Sequence, residues 1–218
     1  MLNRVFYLLF IFAQGMSLSF ASSDPYSARN EIFDNPYFVV GINKKENILS
    51  GYVSALRTAP GESNECKLLF KGRIEKGASF PIEVIDASRH SKKIKPLPAN
   101  LFRVGNGYKI VIKKNDLPGD CDWVLTYVGA PSVQTEGDEF KLLINVDDRG
   151  DWQGVNVISS KRAFFHSSPE VAYKQKTYLV EGYLIYFFDE APEWYFVKYK
   201  SQKKIISGWI NKSDTRGQ

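Results

Sequence analysis

The last third of the chain, residues 152–214, alternates short apolar runs with polar turns. The runs are rich in aromatic and β-branched side chains, which favour extended strands. Glycine, proline and asparagine separate them, and almost nowhere in the chain does an apolar repeat of 3.6 residues persist. This pattern predicts an all-β protein, built as a sandwich or a barrel of antiparallel strands.

The upstream half shows the same pattern, with about eight strand candidates. The predicted strands cover residues 37–42, 48–57, 66–74, 80–86, 101–104, 108–113, 121–128 and 139–146. Loops or turns are predicted between them at residues 58–64, 114–120 and 129–137. Pro81 places the start of its strand at an edge or a bulge, since proline has no N–H to give a neighbour. Asn106-Gly107 predicts a tight hairpin.

The N-terminus has the features of a secretory signal peptide. Arg4 precedes an apolar run at residues 5–13, and small residues at Ser19 and Ala21 occupy the positions that a signal peptidase recognises. A membrane anchor is the alternative, but the run is far shorter than the roughly 20 residues of a spanning helix. We therefore expect residues 1–21 to be removed and a bacterial periplasmic or secreted protein, with no stable membrane anchor, to remain.

Two cysteines, Cys66 and Cys121, are present. An even number of cysteines in an exported chain predicts a disulfide, and two buried free thiols are the alternative. There is no Cys-x-x-Cys motif, and His90 and His166 are the only histidines. We therefore expect no metal site and no cofactor.

An acidic turn at residues 147–151 marks the point where the spacing of aromatic residues changes. We place a domain boundary there, with a disulfide-bonded antiparallel β domain at residues 22–151 and a smaller domain at residues 152–218. No proline- or serine-rich linker separates them, so the two domains are expected to touch, with Trp152 as a candidate for the joint.

The C-terminal domain carries four motifs in a fixed order. They are RAFF at residues 162–165, YLVEG at 178–182, WYFVKY at 194–199 and SGWI at 207–210. They resemble the bacterial SH3 domain, in which a Y-L-V-x-G strand begins the second sheet, a W-x-x-V strand follows and G-W-I closes the barrel. The resemblance covers residues 155–214 and implies a small SH3-like β-barrel. The sequence departs from the family at Tyr183, where such domains often have Asp.

Alternation along the strands predicts which side chains of this domain share a face. Tyr195, Val197 and Tyr199 should share one face of their strand. Upstream, Val180, Leu184 and Tyr186 alternate with residues expected to face outward. Gly208 before Trp209 should allow the close backbone approach that a small barrel needs.

The resemblance also implies a binding groove, because small SH3-like barrels bind peptides or glycans between aromatic side chains. Flat aromatic rings suit such ligands, since they give contact area at a low entropy cost. The candidates for the groove are Tyr173, Tyr183, Trp194, Tyr199 and Trp209. The alternative is that Trp194 and Trp209 fill the barrel core, with Tyr183 and Tyr199 more exposed.

Motifs for catalysis are missing from the sequence. No G-x-S-x-G motif surrounds a serine, both cysteines are expected to be paired, and the histidines lie in a basic loop and a serine-rich turn. The candidate carboxylates Glu62, Glu65, Asp120 and Asp122 are scattered as in solvated loops. We therefore expect no enzymatic activity.

The charged residues of the sequence are expected to face solvent or to contact an acidic partner. The net charge of +5 is too small to predict nucleic-acid binding. A basic cluster is formed by Arg89, Lys92, Lys93 and Lys95. It is either a solvated loop or a contact for an acidic partner. The acidic turn at residues 147–151 lacks the spacing of a calcium loop.

These observations predict a non-catalytic binding protein. The first hypothesis is a protein partner: the chain would neutralise an envelope-acting enzyme or toxin, as immunity proteins and lysozyme-type inhibitors do. The second is binding to peptidoglycan, as many bacterial SH3 domains do. An uncharacterised envelope enzyme is the third.

Overall fold

The computed structural model describes residues 37–59, 61–88, 95–105, 107–118, 121–127, 133–144, 152–200 and 205–216. In these residues fourteen strands form two antiparallel sheets, and a single α-helix accompanies them. The expected all-β fold is therefore confirmed. The expected signal peptide, the acidic turn at residues 147–151 and the basic cluster, apart from Lys95, lie outside the described residues. So does a hairpin loop predicted at residues 201–204.

The first sheet has eight strands, which are neighbours in chain order up to β6. They are β1 (Tyr37–Asn43), β2 (Ile48–Ala59), β3 (Glu62–Arg73), β4 (Ser79–Asp86), β5 (Leu97–Val104), β6 (Gly107–Lys113), β7 (Val133–Glu136) and β8 (Glu139–Ile144). β8 pairs with β6, and β7 pairs with β8 at the edge of the sheet. The helix α1 (Cys121–Tyr127) packs on β2 and β3.

One face of the first sheet is filled with large apolar side chains. The largest fully buried ones are Phe70, Phe80, Phe140, Leu49, Leu68, Leu101 and Ile110. Helix α1 adds Cys121, Val124 and Leu125, whose i, i+3 and i+4 spacing puts them on one helical face. The predicted disulfide between Cys66 and Cys121 is confirmed, and it joins β3 to α1 inside this core.

Three local predictions in this sheet are wrong. Residues 121–127 form a helix and not a strand, because Cys121, Val124 and Leu125 reach the core only at helical spacing. The predicted loop at residues 58–64 is the end of a long hairpin, in which Thr58 pairs with Ser63 although both are polar. β7 lies within residues that were predicted to be a loop.

The prediction for Pro81 is confirmed. The ladder between β3 and β4 ends at the pair Lys71–Glu83, so the start of β4 pairs with β5 alone. Continuing the register by two residues would put Pro81 opposite Arg73, and proline has no N–H to bond there. The predicted hairpin after Val104 is also confirmed, since β5 and β6 pair up to Val104–Gly107.

The second sheet has six strands in the order β11-β10-β14-β13-β12-β9. They are β9 (Gly154–Val157), β10 (Ala163–His166), β11 (Lys174–Leu179), β12 (Leu184–Ala191), β13 (Trp194–Lys200) and β14 (Ile205–Asn211). A 3-10 turn, Lys212–Asp214, follows β14. Thr215 then bridges to Ile158, directly after β9, so the end of this part returns to its first strand.

The second sheet has an apolar core of its own. Its members include Ile158, Phe165, Ile185, Phe187, Tyr195, Val197 and Ile210, with Tyr199 packed against them. The predicted common face of Tyr195, Val197 and Tyr199 is therefore confirmed. The inward assignment of Leu184 and Tyr186 is wrong, because both pack against a separate apolar cluster between the two sheets. Val180 is exposed. The alternation of residues along β12 could not show which side chains face this core, since both faces of the strand are covered.

The two sheets meet through a third apolar cluster. Val39, Tyr52, Leu69 and Ala87 come from the first sheet, and Trp152, Val155 and Val157 belong to the second. The Trp152 Nε1–H donates to the carbonyl of Val40 at 3.0 Å, and the Val155 N–H donates to Ser50 Oγ at 3.0 Å. A Cβ on Gly41 would lie 2.5 Å from the Cα of Gly154, so the backbones approach closely. The two sheets are thus in direct contact, with Trp152 between them.

Candidate functional site

Exposed apolar surface is concentrated on the second sheet. Eight large apolar side chains are exposed among the described residues. The first sheet contributes Leu56 and Val104, and the second part of the chain contributes Val171, Tyr173, Tyr178, Val180, Tyr183 and Ile205. Since large exposed apolar side chains are candidates for interaction sites, this uneven distribution places the candidate site in the second part of the chain.

Two of the predicted residues, Tyr183 and Tyr199, form a stacked pair. Their ring centroids are 5.8 Å apart and their planes differ by 13°. Gly182 sets the turn before Tyr183 with a φ of 86°, a left-handed conformation that glycine adopts readily. Burial raises the pKa of Tyr199, and the neighbouring Tyr183 raises it further through its charge and a hydrogen bond. Tyr199 therefore keeps a neutral hydroxyl at physiological pH.

The two predicted tryptophans lie on the opposite side of the strands from the core. Residues next to them, Tyr195 and Ile210, point into the core, so Trp194 and Trp209 point away from it. Trp194 is buried nevertheless, because the ring of His166 packs edge-on against it at 4.7 Å. Trp209 is half-buried. Neither tryptophan belongs to the apolar core of the second sheet, although Trp194 is buried.

An outer aromatic face surrounds Trp209. We define it by Phe164, Tyr178, Phe196 and Trp209. The rings of Phe196 and Trp209 are 5.4 Å apart, as are those of Phe164 and Tyr178. The register connects the two pairs, since Trp209 pairs with Phe196 on one side and with His166, two residues from Phe164, on the other. The face is thus one continuous strip across four strands.

Cations lie over this strip. Lys174 Nζ is 3.6 Å from the ring centroid of Phe164, and Arg162 Cζ is 5.0 Å from that of Tyr178. Both distances are in the range of cation–π contacts. The outer aromatic face therefore offers flat rings and positive charge together, a combination suited to an acidic or polar partner rather than a purely apolar one.

The fifth predicted residue, Tyr173, lies apart from the others. It ends the 3-10 turn Val171–Tyr173 between β10 and β11, and its carbonyl accepts a hydrogen bond from the Ser167 N–H at 3.1 Å. Its side chain is 51% exposed. No ring contact joins Tyr173 to the other four candidates, which are all described. The structure thus brings Tyr183 to Tyr199 and places the tryptophans on another surface.

Sequence reasoning missed Phe164, Tyr178 and the cations above them. The signal that could have revealed part of the strip was alternation, which puts Trp194 and Phe196 together on the face of their strand opposite Tyr195 and Val197. Extending that face requires knowing that β14 lies between β13 and β10, which is a long-range pairing. Local alternation contains no information about such neighbours.

The described residues do not assemble a catalytic constellation. They contain no group of three or more His, Cys, Asp or Glu side chains that could hold a metal ion. His166 is buried, with Nδ1 3.0 Å from the carbonyl oxygen of Glu170, and both cysteines are in the disulfide. Of the scattered carboxylates, Glu65 pairs with Lys67 at 2.7 Å and Asp122 is exposed on α1.

Comparisons of the chain with protein-family models, curated proteins and solved structures find no match. Among the described residues, no helix has the length and apolar character needed to cross a membrane. The function must therefore be argued from the geometry of the two sheets and from the chemistry of the aromatic surface.

Proposed function

We propose that the chain is a non-catalytic binding protein, whose second sheet is an SH3-like barrel that recognises a protein partner. The observation that carries the proposal is that six of the eight exposed large apolar side chains of the described residues belong to the second part of the chain. The barrel assignment is supported by the hairpin of β10 and β11, the consecutive pairing of β12, β13 and β14, and the 3-10 turn before Thr215.

The partner is an envelope-acting enzyme or toxin that the chain neutralises. Tyrosine, tryptophan and arginine dominate the energetics of protein interfaces, and the outer aromatic face presents all three through Tyr178, Trp209 and Arg162. The packed contact between the sheets supports a preformed surface, which lowers the entropy cost of binding. The disulfide suits the oxidising compartment in which such partners act.

A second candidate is binding to peptidoglycan. The stacked tyrosines favour it, since Tyr183 is exposed beside Tyr199 and offers a flat ring to an extended glycan or peptide. Both candidates use the second sheet. They differ in whether the ligand is a protein or a polymer of the cell wall.

Site-specific photo-crosslinking in the source cells separates the two candidates. A benzophenone amino acid replaces Tyr178, in the outer aromatic face, in one variant and Val104 in a control variant; the two positions are similarly exposed, at 40% and 48%. We expect a discrete protein adduct from position 178 and none from position 104. The crosslinked protein is then purified and its binding to the unmodified chain measured.

Two results would contradict the protein-partner proposal. One is an adduct of equal yield from position 104, which would move the binding surface to the first sheet. The other is no protein adduct from position 178, together with sedimentation of the chain with purified sacculi that Tyr183→Ala abolishes. The second result would favour peptidoglycan as the ligand.

A further inference from the structure

We propose that the first sheet carries a separate ligand site, a cleft that takes a small carboxylate with an apolar body. The cleft has a volume of about 560 Å³ and is lined by residues of β3, β4 and the start of β5. Sites for small molecules have volumes of roughly 300 to 1,000 Å³. This site is on the other sheet from the aromatic surface, so it stands independently of the proposed function.

The cleft is a consequence of where prolines occur in β4 and β5. The β3–β4 ladder ends at Lys71–Glu83, because the next position facing β3 is Pro81 and it has no N–H. Pro96 and Pro98 flank Leu97 at the start of β5 and line the other wall. The sequence therefore ends the β3–β4 ladder beside the cleft and places three prolines in its lining.

The floor of the cleft is apolar. Ile48, Pro81 and Pro98 line it, on the same face of the sheet as Lys71 and Arg73. Pro81 and Pro98 are exposed, since they point away from the core of the first sheet. An apolar ligand body placed here would exchange water for contacts with these two prolines.

The rim of the cleft is mainly positive. Lys71 and Arg73 lie on one side, and Glu83 is the one acidic residue in the lining. The Arg73 guanidinium donates to the carbonyl of Glu46 at 3.1 Å, which holds the charge at the rim. Lys71 forms no ion pair with another described residue. One cation in excess above an apolar floor matches a single carboxylate on an apolar body.

The cleft also adjoins the contact between the sheets. Ile48 and Lys71 line it and also line a cavity of about 20 Å³ between the sheets, together with Asn156 and Glu190 of the second sheet. Ligand sites are common at such junctions, because two packed elements leave concave surface where they meet. A ligand in the cleft would therefore contact residues that the packing of the two sheets holds in place.

Two carboxylate probes test the site and distinguish its possible sources. Decanoate represents a lipid-type acid, and acetyl-Leu-Phe with a free carboxylate represents the end of a peptide; decanol and acetyl-Leu-Phe amide are their uncharged counterparts. Each is titrated into the intact protein and followed by amide chemical shifts. We expect one of the acids to shift the amides of Gly72 and Leu97, and its uncharged counterpart to bind at least about tenfold more weakly.

The matched variants are Lys71→Gln in the cleft and Lys109→Gln on β6, outside the lining. Lys71→Gln should weaken the acid about tenfold, and Lys109→Gln should leave its affinity unchanged. Retained spectra of both variants show that they are folded. Three results overturn the proposal: neither acid shifts the cleft amides, the uncharged counterpart binds equally well, or the two lysine variants behave alike.

Discussion

The two sheets are built from similar strands but distribute their apolar side chains differently. The first sheet encloses a large core that is closed by α1 and the Cys66–Cys121 disulfide. Of the large apolar side chains among its described residues, only Leu56 and Val104 are exposed. The second sheet has a smaller core and an aromatic outer surface. This difference is the reason why we propose that the second sheet binds a partner.

The contact between the sheets helps to explain why the two sheets differ in their exposed apolar side chains. β12 is covered on both faces, with Ile185 and Phe187 in the second core and Leu184 and Tyr186 against the first sheet. The first sheet thus covers part of the outward surface of the second and leaves the strip around Trp209 open. It acts as a support that holds the aromatic surface in place.

Removing the disulfide should have the largest effect on the supporting sheet. The bond closes a loop with a sequence separation of 55 residues, and on the chain-entropy model this stabilises the fold by about 4 kcal/mol. We expect Cys66→Ser with Cys121→Ser to lower the free energy of unfolding in urea by that amount. Hydrogen exchange should show the greater loss of protection at Leu68 and Phe70, compared with Tyr195 and Val197.

A loss below about 1 kcal/mol would be no larger than that of an average substitution, and would mean that the disulfide does not stabilise the first sheet. Reduction of the unchanged protein is the control, because it removes the same bond without altering the residues. If both sheets lost hydrogen-exchange protection equally, the disulfide would not stabilise the first sheet in particular, and the proposed role of that sheet as a support would be contradicted.

The pH dependence of stability tests the core of the second sheet. Burial, reinforced by the charge of Glu190, raises the pKa of Tyr195 from 10.0 to about 12. Between these pH values the folded protein keeps a proton that the unfolded chain has lost. The stabilisation is therefore complete below pH 10 and falls by about 2 to 3 kcal/mol as the pH rises to 12.

Urea unfolding at intervals from pH 9 to pH 12 measures this decline. Tyr195→Phe should make the decline shallower, since no phenol remains to titrate in the core. Tyr178→Phe is the control, because Tyr178 is exposed on the same sheet. An unchanged decline in Tyr195→Phe would show that the core of the second sheet does not hold this proton.

A smaller effect is expected from one hydrogen bond between the sheets. Ser50 Oγ accepts from the buried Val155 N–H, so Ser50→Ala leaves that N–H without its partner. We expect a loss of about 1 to 2 kcal/mol in the free energy of unfolding. The control is Ser54→Ala, at a half-buried serine four residues further along β2, and it should change the free energy of unfolding by less than about 0.5 kcal/mol. Equal losses would show that the hydrogen bond adds nothing to the contact.

The sequence predicts where the strands lie better than it predicts which elements pack against their faces. Alternation identified most strands, and Pro81 and Asn106-Gly107 were interpreted correctly, because these signals act within a few residues. Helix α1 was missed since its seven residues are too few to show a helical period, and its apolar positions make sense only against β3. The faces of β12 were misassigned because both are buried by different partners.

The candidate site was predictable to a lesser degree. Tyr183 and Tyr199 were named from the motif pattern, and the structure stacks them. The outer aromatic face was not identified, because Phe164 and Trp209 are brought together only by the pairing of β10 with β14. Its cations Arg162 and Lys174 are ordinary polar residues in the sequence, and only the fold places them over aromatic rings.

The central claim is that the second sheet binds and the first sheet supports it. The most direct test is a calorimetric titration of the partner crosslinked through position 178. Tyr178→Ala with Tyr183→Ala should weaken binding about 30-fold or more. Leu56→Ala with Val104→Ala, which removes side chains of the same 40–48% exposure from the first sheet, should leave the affinity unchanged. The reverse result would contradict the claim.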